Sequence, residues 1–241
     1  MPSERHEGTV LSQFARKILP WGFGAGVAAC ALNAVWLACL IVLASRGDVA
    51  PQAGTSPALF RVSVGSAVLI TLVQVPILLS MAALAAERDV ARATIGGVFY
   101  ALYLPVNLIG YFSYGRLAPM AYSPSLSELP EARVVAGLVE IGRPLGLTGN
   151  LPLLGYALLG LAWGLLSTAL WNRGRLWKVA AFLLFVSGFL SVLGGIGAFA
   201  DVDWLAACCF VGGVVSLPAL GLLAAVLWAD PVRRTPDIGI L

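Results

Sequence analysis

The sequence predicts an all-α fold, a polytopic bundle of about six transmembrane helices with both termini in the cytoplasm. Three observations carry that expectation. Of 241 residues, 59% are hydrophobic and 11% charged, with a mean hydropathy of +0.90, whereas a soluble domain carries roughly 25% charged residues. Too few charges remain to coat a water-facing globule. The charges that do occur collect in short clusters, and the apolar runs between them are each long enough to cross a hydrocarbon core about 30 Å thick. Finally, Lys and Arg divide unevenly between the two sides that six crossings define.

Residues 1–20 form the first element, a cytoplasmic segment. Val10, Leu11, Phe14 and Ile18 recur at helical spacing while Gln13, Arg16 and Lys17 take other faces, which predicts an interfacial amphipathic helix. The transmembrane domain occupies residues 21–229, with spans at about 21–44, 62–86, 94–114, 151–171, 178–200 and 204–228. The first run outlasts the h-region of a secretory signal peptide and reads as a signal anchor; cleavage after Leu43-Ala44-Ser45 would leave five spans. Between spans three and four lies an outer loop, 115–149, rich in proline. A short helix at 130–141 is expected within it, with Ser127 as a cap and Val134, Val135, Leu138 and Ile141 along one side. Only Asp201, Val202 and Asp203 separate spans five and six, so these two must be antiparallel neighbours. Residues 230–241 form a cytoplasmic tail.

Orientation follows from the basic residues alone. With the N-terminus inside, ten of the fifteen Lys and Arg (Arg5, Arg16, Lys17, Arg88, Arg92, Arg173, Arg175, Lys178, Arg233 and Arg234) are cytoplasmic. Trp21, Trp171, Trp177 and Trp228 then fall at the inner interface and Trp204 at the outer one, where tryptophans favour the headgroup level.

Residues 153–189 combine a Gly-rich span ending in Trp171, the tight basic turn Asn172-Arg173-Gly174-Arg175 and a second span containing Gly and Ser. This layout resembles a group of six-span bacterial integral membrane proteins defined only as a domain of unknown function. The resemblance implies topology and no activity. Six spans with both ends inside are also similar to the layout of the substrate-binding subunits of vitamin importers.

One face of span three departs from the apolar norm. Tyr100, Tyr103, Asn107, Tyr111 and Tyr114 are spaced three, four, four and three apart and share a single arc of about 80°. A polar stripe of this kind turns away from lipid, either to bond neighbouring helices or to line a ligand or water path. Asn33 in span one, Gln74 in span two and Asn107 in span three lie at similar depth, where their carboxamides could meet one another or a neutral polar ligand. Asn33, Gln74, Tyr100, Tyr103, Asn107 and Tyr111 are therefore the candidate ligand-binding residues. Pro76 and Pro105, close to Gln74 and Asn107, and Pro218 in span six each remove a helical hydrogen bond at mid-span. Gly22 and Gly26, Gly160 and Gly164, and Ser187, Ser191 and Gly195 form close-packing faces, for use within the chain or against a partner.

Other chemistry has few candidates. No Asp, Glu, Lys, Arg or His lies deep in a span, and the single His6 is in the N-terminal segment, so catalytic, metal and cofactor residues are expected to be none. Cys30, Cys39, Cys208 and Cys209 sit in apolar runs without a C-x-x-C pair, as packing residues do. The basic residues lie at span ends rather than in a stripe, which disfavours nucleic acid as a partner. Glu87, Arg88, Asp89 and Arg92 read as local ion pairs at a helix end. The leading expectation is a multi-pass cell-membrane protein that binds or transports a small neutral or amphipathic molecule at the polar face of spans one to three. The alternatives are a structural or regulatory subunit that binds another membrane protein or a second copy of itself, and an embedded enzyme acting on a lipid or isoprenoid through a tyrosine or Glu87.

Overall fold

A computed structural model describes residues 3–47, 52–123, 130–139 and 146–230. Among these residues every regular element is an α-helix: α1 (Ser3–Ala44), α2 (Gln52–Thr55), α3 (Pro57–Ala86), α4 (Val90–Ala121), α5 (Pro130–Val139), α6 (Leu147–Leu170), α7 (Arg175–Ala200), α8 (Asp203–Ala206) and α9 (Cys208–Ala229). Six stretches are long and apolar enough to cross a membrane, in α1, α3, α4, α6, α7, and α8 with α9. The chain has the layout of a multi-pass membrane protein.

The six long helices form a closed ring in chain order. α1 packs on α3, α3 on α4, α4 on α6, α6 on α7, α7 on α9, and α9 returns to α1. The short connections of α3 to α4, α6 to α7 and α7 to α8 each send the next helix back beside its predecessor. One turn begins at Asp89, whose carboxylate caps α4 by accepting from the Arg92 amide at 3.0 Å. Another uses Gly174 at φ +134, a conformation that favours glycine. The α7–α8 connection turns on Asp201 at φ 55, the one non-glycine residue with positive φ among those described. Close helix approach depends on small residues: a Cβ at Gly160 would run into the Gly188 carbonyl, so α6 and α7 meet backbone to backbone.

Two ends of the ring are distinct. The basic end carries Arg16, Lys17 and the turns that hold Arg88, Arg173 and Arg175; the loop end carries α2, α5 and α8. In the half toward the basic end, Ile77, Met81, Leu84, Leu166, Leu184 and Leu223 pack into a continuous core. Here α3 also reaches α6 across the ring. Arg173, in the α6–α7 turn, ties this end together. It contacts Glu87 at 2.9 Å and Asp230 at 3.4 Å, at the ends of α3 and α9, and it donates to the Leu84 carbonyl. The half toward the loop end encloses a cavity instead.

Several sequence expectations are altered. α4 continues past residue 114 to Ala121, because Tyr114, Ala118 and Ala121 bury against Phe60, Ala53 and Val139 and so extend the helix through Gly115 and Pro119. α1 is a single helix of 42 residues, about 60 Å long, so residues 3–20 share its axis without a break. The sixth span is interrupted at Ala207, between α8 and α9. Trp177, at the basic end beside the Arg173 turn, is buried against neighbouring helices, whereas Trp21, Trp171, Trp204 and Trp228 are exposed. Glu87 pairs across the bundle with Arg173, not within its own loop, while Asp89 and Arg92 do pair locally at 3.1 Å. Ser127, Ile141 and the tail beyond Asp230 lie outside the described residues.

Candidate functional site

The polar stripe of α4 points into the ring along its whole length. Tyr100, Tyr103, Asn107, Tyr111 and Tyr114 are buried, while Ile95, Val98, Leu102, Ile109 and Phe112 on the opposite face are exposed. The two ends of the stripe do different things. Toward the basic end it is packed solid: the Asn107 amide donates to Thr71 Oγ1 at 2.6 Å and to the Tyr103 hydroxyl at 3.3 Å, and that hydroxyl donates to Thr71 at 3.4 Å. Tyr100 stacks obliquely on Tyr103 with ring centres 5.7 Å apart. Gly155 of α6 closes over this group, since a Cβ there would come within 2.8 Å of Asn107 Oδ1. Toward the loop end, Tyr111 and Tyr114 face the cavity.

The cavity has a volume of about 670 Å³ and draws its wall from all six spans. Its rim lies at the loop end, at Ala44, Ser45 and Asp203, and its floor near Gln74, Leu159 and Trp163. The wall is largely apolar, with a few polar groups at defined depths. Tyr111 and Tyr156 share a hydrogen bond of 2.9 Å between their hydroxyls, and Trp36 lies beside Tyr156 with ring centres 6.5 Å apart. Ser187 and Ser191 also line the wall, but their hydroxyls are committed to the carbonyls of Gly212 and Ser187. On the floor, Gln74 Oε1 and Trp163 Nε1 are buried without a hydrogen-bond partner. The Tyr114 hydroxyl, nearer the rim, is also unpartnered; a buried polar atom left unpaired costs about 1–3 kcal/mol, so these three are the wall groups a ligand would most relieve.

Of the six candidate residues, the structure brings Asn33, Gln74 and Tyr111 to the cavity. Tyr100, Tyr103 and Asn107 sit in the packed region and do not reach its wall. The three carboxamides do not meet: Asn33 donates to the Ala29 carbonyl of its own helix at 2.8 Å, and Asn107 turns to Thr71. The cavity draws on spans four, five and six as well as on spans one to three. Its wall also includes Trp36, Tyr156 and Trp163, which the sequence reading did not single out. Their signal was an aromatic ring with a polar atom at mid-span, away from either interfacial belt.

The wall offers acceptors, donors and apolar surface, and no charged side chain deeper than the rim. A charged ligand group on the floor would lie unpaired in a low-dielectric site, which is costly. A neutral group that both donates and accepts can satisfy Gln74 and Trp163 together. Glu87 lies at the opposite end, held by Arg173 and outside the chamber. No protein family, characterised protein or solved structure matches this chain.

Proposed function

We propose that this chain is a multi-pass protein of the cell membrane that binds, and carries, a small neutral amphipathic molecule in its loop-end chamber. The observation that carries the reading is the floor, where Gln74 Oε1 and Trp163 Nε1 lack partners beneath an apolar wall. A volume of about 670 Å³ falls within the roughly 300–1,000 Å³ typical of small-molecule sites, which combine apolar walls with a few orienting polar groups. The distribution of Lys and Arg favours a cytoplasmic basic end and therefore a chamber that faces outward. The small-residue faces favour a ligand-binding reading over that of a subunit, because Gly22, Gly26, Gly160 and Gly195 are used within the ring, while Gly164, expected beside Gly160, borders open space.

Mass spectrometry of small molecules that copurify with detergent-extracted protein tests the proposal. The wild type should retain a neutral amphiphile, and Gln74→Leu should lose it while remaining folded. Equal retention by both proteins, or retention of charged molecules only, would overturn the reading.

A further inference from the structure

The seam between α1 and α9 changes character along its length. From the basic end the two helices are in continuous antiparallel contact: a Cβ on Gly22 would touch Leu227 at 3.3 Å, one on Gly26 would meet Ala224 at 2.9 Å, Cys30 Sγ approaches the Leu217 carbonyl at 3.7 Å, and Trp36 lies 3.4 Å from a Cβ on Gly213. Continued outward, that register aligns Leu40 and Ala44 with Phe210 and Ala206. Beyond Trp36, however, residues of both helices line the same void: Leu40, Ile41 and Ala44 on one side, Ala206, Ala207 and Phe210 on the other. Ile41 is 55% exposed and Phe210 43%, although both border the chamber.

The cause lies on α7. Gly194 and Gly197 have no side chains, and α8 and the start of α9 press directly onto their backbone at Cys209, Leu205 and Ala206. This outer part of the sixth span leans on α7 along both α8 and α9. α1, already the least buried of the six spans, is left with an unfilled flank. Exposed Trp204 sits at the outer end of the sixth span, where tryptophan favours the headgroup level; at a rise of about 1.5 Å per residue Phe210 is about 9 Å deeper, which sets the inner part of the gap among acyl chains.

From this we infer that the chamber is loaded sideways from the membrane, through the gap between α1 and α8–α9, by a single-chain lipid with an uncharged hydroxyl or amide head that enters head first. The inference rests on the chamber-binding reading and adds its ligand class and route. The head leads, because the floor carries an unpartnered donor and an unpartnered acceptor together, whereas the outer wall offers the Tyr114 hydroxyl and the gap is lined by Leu40, Ile41, Ala206 and Phe210. A hydroxyl or amide there can donate to Gln74 Oε1 and accept from Trp163 Nε1. Its acyl chain then runs back past the gap toward the bilayer. A headgroup bearing phosphate would meet no cation on the floor.

The test uses the full chain in phosphatidylcholine liposomes with two photoactivatable C16 monoacylglycerols, one with its diazirine next to the glycerol and one with it at the chain tip, and labelled peptides are mapped by mass spectrometry. The head probe should label residues around Gln74 and Trp163, and the tip probe residues around Leu40, Ala44 and Phe210. This needs no variant. Ala44→Trp combined with Ala206→Trp should reduce labelling of the floor by the head probe at least tenfold, while hexanoyl-glycerol added from water still competes for the floor of the wild type. The reversed pattern, with head at the rim and tip on the floor, overturns head-first loading. Unchanged floor labelling in a folded double variant overturns the lateral route and leaves chamber binding standing. Labelling confined to the outer surface of the ring by both probes overturns the ligand class, and if copurification also yields nothing, the chamber-binding reading falls with it.

Discussion

The two halves of the ring are built from the same six helices, yet one is filled and the other hollow. In the half toward the basic end, large aliphatic side chains meet across the axis and α3 touches α6; a Cβ on Gly96 would come within 3.0 Å of Leu166. In the half toward the loop end, α3 and α6 present Gln74, Tyr156 and Trp163 to an empty chamber. The difference shows where the free energy of this fold is concentrated. Helices in lipid gain little from excluding water, so close packing and interhelical hydrogen bonds must hold them. The filled half supplies both, and it frees the other half to be open.

That contrast can be broken most severely at the backbone crossing of α6 and α7. Gly160→Leu would force a side chain into the Gly188 carbonyl, and such overpacking costs about 3 kcal/mol or more; we expect loss of the monodisperse species in size-exclusion chromatography. A gentler comparison sets one truncation in each half. Leu166→Ala, at a fully buried site, should cost about 2–4 kcal/mol through the void it leaves, whereas Leu153→Ala, already facing the chamber, should cost less than about 1 kcal/mol. Equal losses of thermal stability in the two would contradict the division into halves. Next comes the tie at the basic end. Arg173→Ala removes the cation that pairs with both Glu87 and the buried Asp230, at an expected cost of about 2–3 kcal/mol, measured by thermal denaturation. The smallest effects sharpen the comparison best. Asn107→Leu removes an unpartnered oxygen but also bonds to Thr71 and Tyr103 and should destabilise by about 1 kcal/mol, while Gln74→Leu removes an unpartnered oxygen and should be neutral or stabilising by up to about 1 kcal/mol. The two carboxamides are alike in sequence and opposite in expected sign.

That pair also marks how far the sequence could be read. The six crossings were legible because each is an uninterrupted apolar run, and the antiparallel contact of α7 with α9 because three residues cannot span further. The inward face of α4 was legible from its period. Which part of that face is packed and which is open was not, since it depends on Thr71 meeting Asn107 and on Gly155 covering it from α6. Periodicity reports the angle of a side chain about its own axis but carries nothing about the offset of neighbouring helices. The chamber itself was hidden for the same reason: its wall comes from all six spans, so it depends on displacements between helices rather than on a property of any one of them.

Chain order around the ring has a consequence for assembly. Apart from the small contact of α3 with α6 across the ring, every interface but one joins a helix to its immediate predecessor among the long helices, so most of the bundle can form while the chain is still being inserted, from contacts of low sequence separation. The exception is α9 on α1, which must wait for the last helix and link the two ends of the chain. This last-formed seam is also the incompletely closed one, and it brings Arg16 and Asp230 to the same end of the bundle. A circular permutant that joins the termini and begins at the α6–α7 turn would turn the late seam into an early one without altering any helix.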